Sequence, residues 1–261
     1  MLKVITNYIP IGHPNRPGIK MTSKPKARIC HGTSNYNNGT GDEMHRSYVG
    51  RAYTKKWNQE RGKYEYFEAN GELFRFGCTH VYIDKDSATI VVPLDEYCPG
   101  AGDRPLPYDE VYKGQKPLAK ELFDNQQNYC TWQYELCMND MNAWEQVLSN
   151  AIEFIKTYMP GADIPDVRHY DVTGKQCPIP FVNLSIKEVD PRWVAFRDRI
   201  RTALSTPKEI SINEAIDIWA AAGIIMDPAG MKNDFDRSSF RPDRYSAFMI
   251  KSANYIKERV R

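Results

Sequence analysis

Residues 27–35 read Ala-Arg-Ile-Cys-His-Gly-Thr-Ser-Asn (ARICHGTSN), and the interpretation of the whole chain starts from this stretch. Its first five residues, which end at His31, contain a compact apolar run and predict a short buried strand. The glycine, threonine, serine and asparagine that follow predict a loop. His31 is therefore expected at the end of a strand, where the sheet gives way to a polar loop.

On both sides of this stretch, predicted strands and helices alternate along the chain. Short apolar runs predict further strands at residues 79–84, 88–93, 129–137 and 166–169. Apolar residues at helical spacing predict helices at residues 42–53, 139–158 and 191–204. Interleaved elements of this kind are typical of an α/β fold, in which a mixed central β-sheet is flanked by helices.

Cysteine and histidine are distributed so unevenly that they divide the chain into two parts. All 6 cysteines and all 5 histidines precede residue 178, and the cysteines are expected to be reduced thiols. Residues 205–208 read Ser-Thr-Pro-Lys and are typical of a short linker. We therefore predict a chemically active domain at residues 1–204 and a small helical C-terminal module at residues 208–261. Helices are predicted within this module at residues 212–222 and 246–259.

Charge and hydropathy exclude several classes of protein. Among 261 residues, 35 are basic and 33 are acidic, and a net charge of +2 gives no strong electrostatic signature for nucleic acid or an anionic membrane. No apolar stretch is long enough to span a bilayer. Residues 1–16 lack an apolar block followed by a small-residue cleavage site, so we expect no signal peptide.

A second segment with metal-binding chemistry follows the predicted strand at residues 166–169. There His169 is followed by Lys175, Cys177 and Pro178 within one loop. Histidine and cysteine are good zinc ligands, and three protein ligands leave a fourth position open for water in catalytic sites. By spacing alone, His31, His169 and Cys177 suggest such a site. A capped loop histidine and a buried cysteine would explain the same residues.

Two further histidines and a cysteine are interpreted as structural. His45 lies on a predicted helix and is expected to be a packing or capping residue, and His80 is expected to be a hydrogen-bonded histidine within a strand. Cys30 adjoins His31 on a strand, so its side chain is expected on the opposite face, in the core.

Three segments of the chain resemble one known family. They are the stretch at His31, the segment Trp132-Gln133-Tyr134-Glu135-Leu136, and His169 followed by Gly174-Lys175-Gln176-Cys177-Pro178. All three are similar to segments of the zinc N-acetylmuramoyl-L-alanine amidases of the peptidoglycan-recognition type, which include phage endolysins and bacterial autolysins. The resemblance covers about residues 2–204. The last segment is its most specific part, because two ligands and a lysine occur there at the family's spacing.

The resemblance implies a set of functional residues and a reaction. His31, His169 and Cys177 are expected to bind Zn²⁺, and Lys175 to stabilise the oxyanion formed on the attacked carbonyl. Glu135 is expected to act as the general base toward water and then as the acid toward the leaving amine. The expected enzyme is a zinc-dependent N-acetylmuramoyl-L-alanine amidase, which cuts the amide bond between N-acetylmuramic acid and L-alanine and lyses the cell wall.

The resemblance also implies a partner and a location. The partner is bacterial peptidoglycan, with no nucleic acid and no membrane insertion, and dependence on a holin is a further expectation. The protein is expected in the host cytoplasm before release and then at the bacterial cell wall. The C-terminal module could bind the wall or pack on the enzyme.

Departures from the family pattern leave two alternatives open. Thr79 stands where some members of the family have a tyrosine. This difference favours membership in the branch whose catalytic residue is the glutamate, here Glu135, and not the tyrosine. Insertions near residues 55–76 and 106–128 are expected to reshape the groove for glycan or peptide. The alternatives are a non-catalytic peptidoglycan-binding module of the same fold and a zinc peptidase that cuts within the stem peptide. The first insertion holds a cluster of five aromatic residues, Tyr64, Tyr66, Phe67, Phe74 and Phe76. This cluster could bind sugar rings, although packing of an inserted hairpin is the favoured explanation.

Overall fold

A mixed β-sheet organises the first part of the chain in the computed structural model, which describes residues 2–74, 76–102, 118–185, 189–205 and 212–221. The strands are β1 (Lys3–Thr6), β2 (Ala27–Gly32), β3 (Thr54–Asn58), β4 (Lys63–Phe67), β5 (Val81–Ile83), β6 (Ser87–Ile90), β7 (Thr131–Leu136) and β8 (Asp166–Arg168). Six of them form the sheet in the order β1-β6-β5-β7-β2-β8, and β3 and β4 form a separate hairpin. Neighbouring strands in the sheet are parallel except β5 and β6, so the predicted mixed sheet is confirmed.

Helices flank this sheet, as the sequence predicts. They are α1 (Asp42–Val49), α2 (Leu118–Phe123), α3 (Trp144–Tyr158), α4 (His169–Thr173) and α5 (Pro191–Ser205). A further helix, α6 (Ile212–Ala221), belongs to the C-terminal part of the chain. A 3₁₀ turn at Met141–Ala143 precedes α3, and the Asp140 side chain accepts a hydrogen bond from the Asn142 backbone there. None of the helices in the described ranges combines the length and the apolarity that crossing a membrane requires.

The two faces of the sheet carry different side chains, because successive residues of a strand point to opposite sides. On one face, Cys30 and Tyr134 are buried in a large apolar cluster that includes Val147 of α3 and Trp193 of α5. On the other face, Ile29 belongs to a smaller apolar cluster with residues of α2 and α4. His31 shares the face of Ile29. The predicted orientations of His31 and Cys30 are thus observed.

Two polar networks hold the elements around the sheet in place. Arg28 of β2 is 1% exposed and donates two hydrogen bonds to Asp166 of β8, at 2.7 and 3.0 Å. At the start of α1, Asp42 accepts hydrogen bonds from the hydroxyls of Ser87 and Thr89 on β6. These contacts fix β8 beside β2 and fix α1 against β6.

Several predicted elements differ from those observed. The helix predicted over residues 42–53 ends at Val49, where the backbone N–H of Gly50 caps it. The four prolines and three glycines of residues 99–128 predict mostly loop, but this stretch contains α2, whose Ala119 and Phe123 are buried in the core. Strand β1 was not predicted.

The C-terminal part of the chain is only partly described. The chain divides into two compact units, Met1–Leu204 and Ser205–Arg261, and α6 is the described part of the second unit. The helix predicted at residues 246–259, the linker residues 206–208 and residues 106–117 of the second insertion lie outside the described residues. The assignment of residues 1–204 and 208–261 as catalytic and wall-binding modules stays a prediction.

Candidate metal centre

Three predicted ligands, His31, His169 and Cys177, meet at the carboxyl ends of two neighbouring strands. His31 lies near the end of β2, His169 directly follows β8, and Cys177 lies in the loop beyond α4. One potential ligand atom from each residue lies within 4.8 Å of the other two, and all three residues are buried. The carboxyl ends of parallel strands are the usual place for ligand sites in α/β folds.

The register of the sheet explains why the two histidines meet. Cys30 of β2 pairs with Arg168 of β8, so the next residues along these parallel strands are His31 and His169. Their ring centroids are 4.5 Å apart. A contact between residues 138 positions apart in sequence thus follows from one pairing of strands.

Cys177 is held against the end of β2 by the backbone. The Gly32 backbone N–H donates to the Cys177 sulfur at 3.4 Å, and the Tyr170 N–H donates to the Cys177 carbonyl at 2.9 Å. A Cβ atom at residue 32 would lie 2.9 Å from the Pro178 side chain, so glycine permits this close approach. Gly174 ends α4 in the left-handed conformation, at φ 83°, which turns the chain toward Cys177.

The donor atoms of the cluster fit a bound cation. His31 Nε2 and His169 Nδ1 are buried, and neither has a hydrogen-bond partner among the described residues. The Cys177 sulfur lies 4.0 Å from His31 Nδ1. Burial lowers the pKa of His169 to about 3 and raises the pKa of Cys177 to about 12. Burial of a polar atom without a hydrogen-bond partner is energetically unfavourable, and a bound cation would provide that partner. Two neutral imidazoles and a cysteine sulfur form a ligand set suited to zinc.

A glutamine behind the cluster is placed to orient His31. Gln133 lies two residues from Glu135 on β7 and therefore on the same face of the sheet. Its side-chain N–H donates to the Cys98 carbonyl at 2.9 Å and to Asn128 Oδ1 at 3.1 Å. The amide oxygen has no hydrogen-bond partner within the described part of the chain. The Gln133 side chain raises the pKa of His31, against the larger effect of burial, which lowers it.

A carboxylate and an ammonium group lie beside the cluster. Glu135 of β7 pairs directly with His31 of β2, so the two side chains share a face of the sheet. Burial raises the pKa of Glu135 to about 8, and the positive charge of Lys175 acts in the opposite direction. A carboxyl with a pKa near neutrality can both accept and return a proton. Lys175 is exposed on the loop between α4 and Cys177.

These groups line a cavity of about 630 Å³. His31, Cys177, Glu135 and Lys175 are among its lining residues. The structure therefore brings together all five residues that the sequence singled out, since His169 completes the cluster with His31 and Cys177. A cation, a proton acceptor and a positive charge around one cavity can activate water and stabilise a negatively charged intermediate.

The cavity is also lined by residues that the sequence analysis did not assign to the site. Tyr82 of β5 pairs with Glu135, and the ring of His45 on α1 stacks on Tyr82 with centroids 5.3 Å apart. Nε2 of His45 is buried and has no hydrogen-bond partner in the described ranges. Tyr48 and Phe76 also line the cavity. His45 is thus a packing residue, as expected, but one in the wall of the cleft.

His80 has the structural role that the sequence analysis gave it. Its Nδ1 accepts a hydrogen bond from the Gln133 backbone N–H at 3.1 Å, and its Nε2 donates to the Glu96 carbonyl at 2.9 Å. A backbone N–H can only donate, so the proton of this neutral ring resides on Nε2. Burial lowers the pKa of His80 to about 4.

Two curated proteins are similar to this chain in sequence, whereas no protein-family model matches it. One is the N-acetylmuramoyl-L-alanine amidase BlyA of Bacillus subtilis (strain 168), with 27% identity over 214 residues, covering 78% of this chain and 48% of that protein. The other is a probable N-acetylmuramoyl-L-alanine amidase of Bacillus licheniformis, with 28% identity, covering 87% of this chain and 55% of that protein. The chain thus spans about half the length of the curated relatives it matches, and the resemblance to amidases is confirmed.

Solved structures are also similar to the chain. A mutant endolysin from Bacillus subtilis has a TM-score of 0.48 and 24% sequence identity, and the match covers 77% of this chain and 99% of that one. The catalytic domain of XlyA has a TM-score of 0.48 and 23% identity, and the match covers 76% of this chain and 99% of that one.

Proposed function

We propose that this chain is a zinc-dependent amidase that hydrolyses the bond between N-acetylmuramic acid and L-alanine in bacterial peptidoglycan. The proposal is carried by one observation, the convergence of the His31, His169 and Cys177 cluster with Glu135 and Lys175 at one cavity. The names of the two curated relatives suggest which bond is cut.

The three clustered residues are the proposed zinc ligands. His31 and His169 offer neutral imidazoles, because burial lowers the pKa of both rings, and Cys177 offers the sulfur. A bound zinc ion would supply a Lewis acid that polarises a carbonyl and lowers the pKa of water. The protein's contribution is to hold the three donors together within a buried pocket.

Glu135 is the proposed general base. Its carboxylate accepts a proton from the water that attacks the lactyl carbonyl of muramic acid. The same carboxyl then returns the proton to the nitrogen of L-alanine as the carbon–nitrogen bond breaks. The products are a carboxylate on the sugar and a stem peptide with a free amine. The direct pairing of Glu135 with His31 keeps this proton transfer beside the cluster.

Lys175 is the proposed source of positive charge for the oxyanion that forms on the attacked carbonyl. Its side chain is exposed at the cavity, and a flexible lysine can move toward a bound substrate from that position. Lys175 lies two residues before Cys177, so the loop that brings the third ligand also brings the ammonium group.

The biological setting follows from this reaction. We propose residues 1–204 as the catalytic domain and residues 208–261 as a wall-binding module. Cleavage of the glycan–peptide amide lyses the wall, which is the action of an endolysin. Retention in the host cytoplasm before release and dependence on a holin stay predictions.

Mass spectrometry of the products released from purified Gram-positive peptidoglycan tests the reaction. We expect stem peptides that begin at L-alanine, with no new sugar reducing ends, and loss of this release with a chelator. Cys177→Ala should abolish both zinc retention and release, whereas Cys130→Ala, at a buried cysteine outside the cluster, should retain both. Fragments cut within the stem peptide would indicate a peptidase instead. Binding to the wall without any release would indicate a binding module.

A further inference from the structure

One face of the β3–β4 hairpin exposes aromatic rings to solvent. The register pairs Trp57 with Tyr64 and Lys55 with Tyr66, so these four side chains share one face of the hairpin. Trp57 is 53% exposed and Tyr64 is 52% exposed, and their ring centroids lie 4.9 Å apart. We call Trp57, Tyr64, Tyr66 and the neighbouring Phe76 the aromatic face.

The aromatic face is continuous with the cavity of the candidate metal centre. The ring of Tyr66 contacts that of Phe76, with centroids 5.7 Å apart. Phe76 is 55% exposed, and it lines the cavity that Glu135 and Lys175 also line. A polymer held with one unit in the cavity could therefore continue over Phe76 onto the hairpin.

The base of the hairpin is packed firmly onto the rest of the domain. Phe74 is 4% exposed, and its backbone N–H donates to the Tyr66 carbonyl at 2.8 Å. The rings of His13 and Tyr53 contact Phe74, and the Arg51 guanidinium lies 4.3 Å from its centroid. Packing therefore explains Phe74, as the sequence analysis expected, but it does not explain the exposed members of the cluster.

We infer that the aromatic face binds the glycan strand of peptidoglycan adjacent to the amide that is cut. This inference rests on the proposed function. Exposed apolar patches usually mark interaction sites, and tyrosine and tryptophan rings combine an apolar face with a polar edge. Sugar rings match them, because they present C–H groups on their faces and hydroxyls around their edges. A surface already ordered in the unbound protein loses little entropy on binding.

Charge on the aromatic face also favours the glycan. The Lys55 ammonium lies 4.0 Å from the centroid of the Tyr64 ring. The proposed reaction leaves a carboxylate on each muramic acid that has lost its peptide. Lys55 therefore suits a glycan strand from which peptides have already been removed.

Binding of defined fragments by the full chain tests this inference. The probes are soluble glycan strands from which all stem peptides have been removed, and isolated stem peptides. We expect the parent chain to bind the glycan, and Trp57→Ala and Tyr64→Ala each to weaken that binding about tenfold. Trp57→Phe keeps a flat ring and should restore most of the affinity. Tyr158→Ala is the matched control, because Tyr158 is a partly exposed aromatic residue, 39% exposed, on α3.

The outcomes separate this inference from the proposed function. Parent-like glycan binding by folded Trp57→Ala and Tyr64→Ala variants would overturn the aromatic face as a binding site. A loss of stem-peptide binding in these variants, with glycan binding intact, would overturn the choice of glycan. If the parent chain binds glycan through this face but cuts no muramoyl–alanine bond, the aromatic face is supported as a glycan-binding site and the proposed reaction is wrong.

Discussion

Replacement of Arg28 by methionine is expected to unfold most of the compact unit formed by residues 1–204. The guanidinium donates two hydrogen bonds to Asp166 and three to carbonyls between α3 and β8, those of Met159, Gly161 and Ile164. Removal of one partner of a buried ion pair costs about 3–5 kcal/mol. Each carbonyl left without a donor adds about 1 kcal/mol, since the Met159 carbonyl is buried and those of Gly161 and Ile164 are partly buried. Domains are stable by only about 5–15 kcal/mol, so the loss approaches the whole free energy of unfolding.

Urea unfolding followed by circular dichroism measures this loss. The control is Arg201→Met, which removes an exposed ion pair with Asp198 and should change stability by less than about 1 kcal/mol. The double variant Arg28→Met with Asp166→Leu should be more stable than Arg28→Met alone, because it removes the buried charge that the single variant leaves unpaired. The reasoning is refuted if Arg28→Met unfolds within 1 kcal/mol of the parent, or if the double variant is less stable than the single one.

Three further predictions concern the cleft and the anchor of α1. Gln133→Leu should weaken zinc binding about 10- to 100-fold, because it removes the side chain that acts on His31. A competition assay with a chromophoric chelator measures this change, and Gln127→Leu, at another buried glutamine, should leave the affinity unchanged. Equal affinities in the two variants would contradict the role of Gln133. Glu135→Gln should lower kcat for release of stem peptides about 10²- to 10⁴-fold at unchanged zinc content, and a smaller loss would exclude Glu135 as the base. Burial raises the pKa of Asp42 in the folded chain, so the folded state binds this proton more tightly than the unfolded state does. The stability of the parent relative to Asp42→Asn should therefore increase as the pH falls toward the ordinary aspartate value of 3.8, and a difference that does not change with pH would contradict the argument.

Residues with distinctive local chemistry could be predicted from the sequence. His31 lies at the end of a strand that an apolar run marks, and Glu135 interrupts a strand that is otherwise mainly apolar. His169, at the start of α4, and Cys177, in the loop beyond that helix, lie close together in sequence at a recognisable spacing. Each of these signals is contained in a few neighbouring residues, so no knowledge of the tertiary structure is needed to find it.

Residues placed by long-range pairing could not be predicted in the same way. Tyr82 faces Glu135 because β5 pairs with β7, and the two residues lie 53 positions apart in the sequence. His45 enters the cleft wall because α1 packs on β5, and its helical pattern does not specify that contact. The hairpin shows a similar limit. The pair Asn70-Gly71 is a sequence typical of a hairpin turn, and it does form a turn. The chain nevertheless reverses between β3 and β4 at residues 59–62, with Gly62 at a positive φ of 58°.

The distance along the chain between the clustered residues has a consequence for synthesis. His31 and Cys177 are separated by 146 residues, and β7 and β8 are made in the interval. At the usual rate of translation, the ribosome adds Cys177 roughly 7–30 s after His31. For most of this time His31 is the only one of the three ligands that has been made, and both strands that pair with β2 are still missing. The complete donor set arises late, as a product of long-range folding, and truncated translation products lack it.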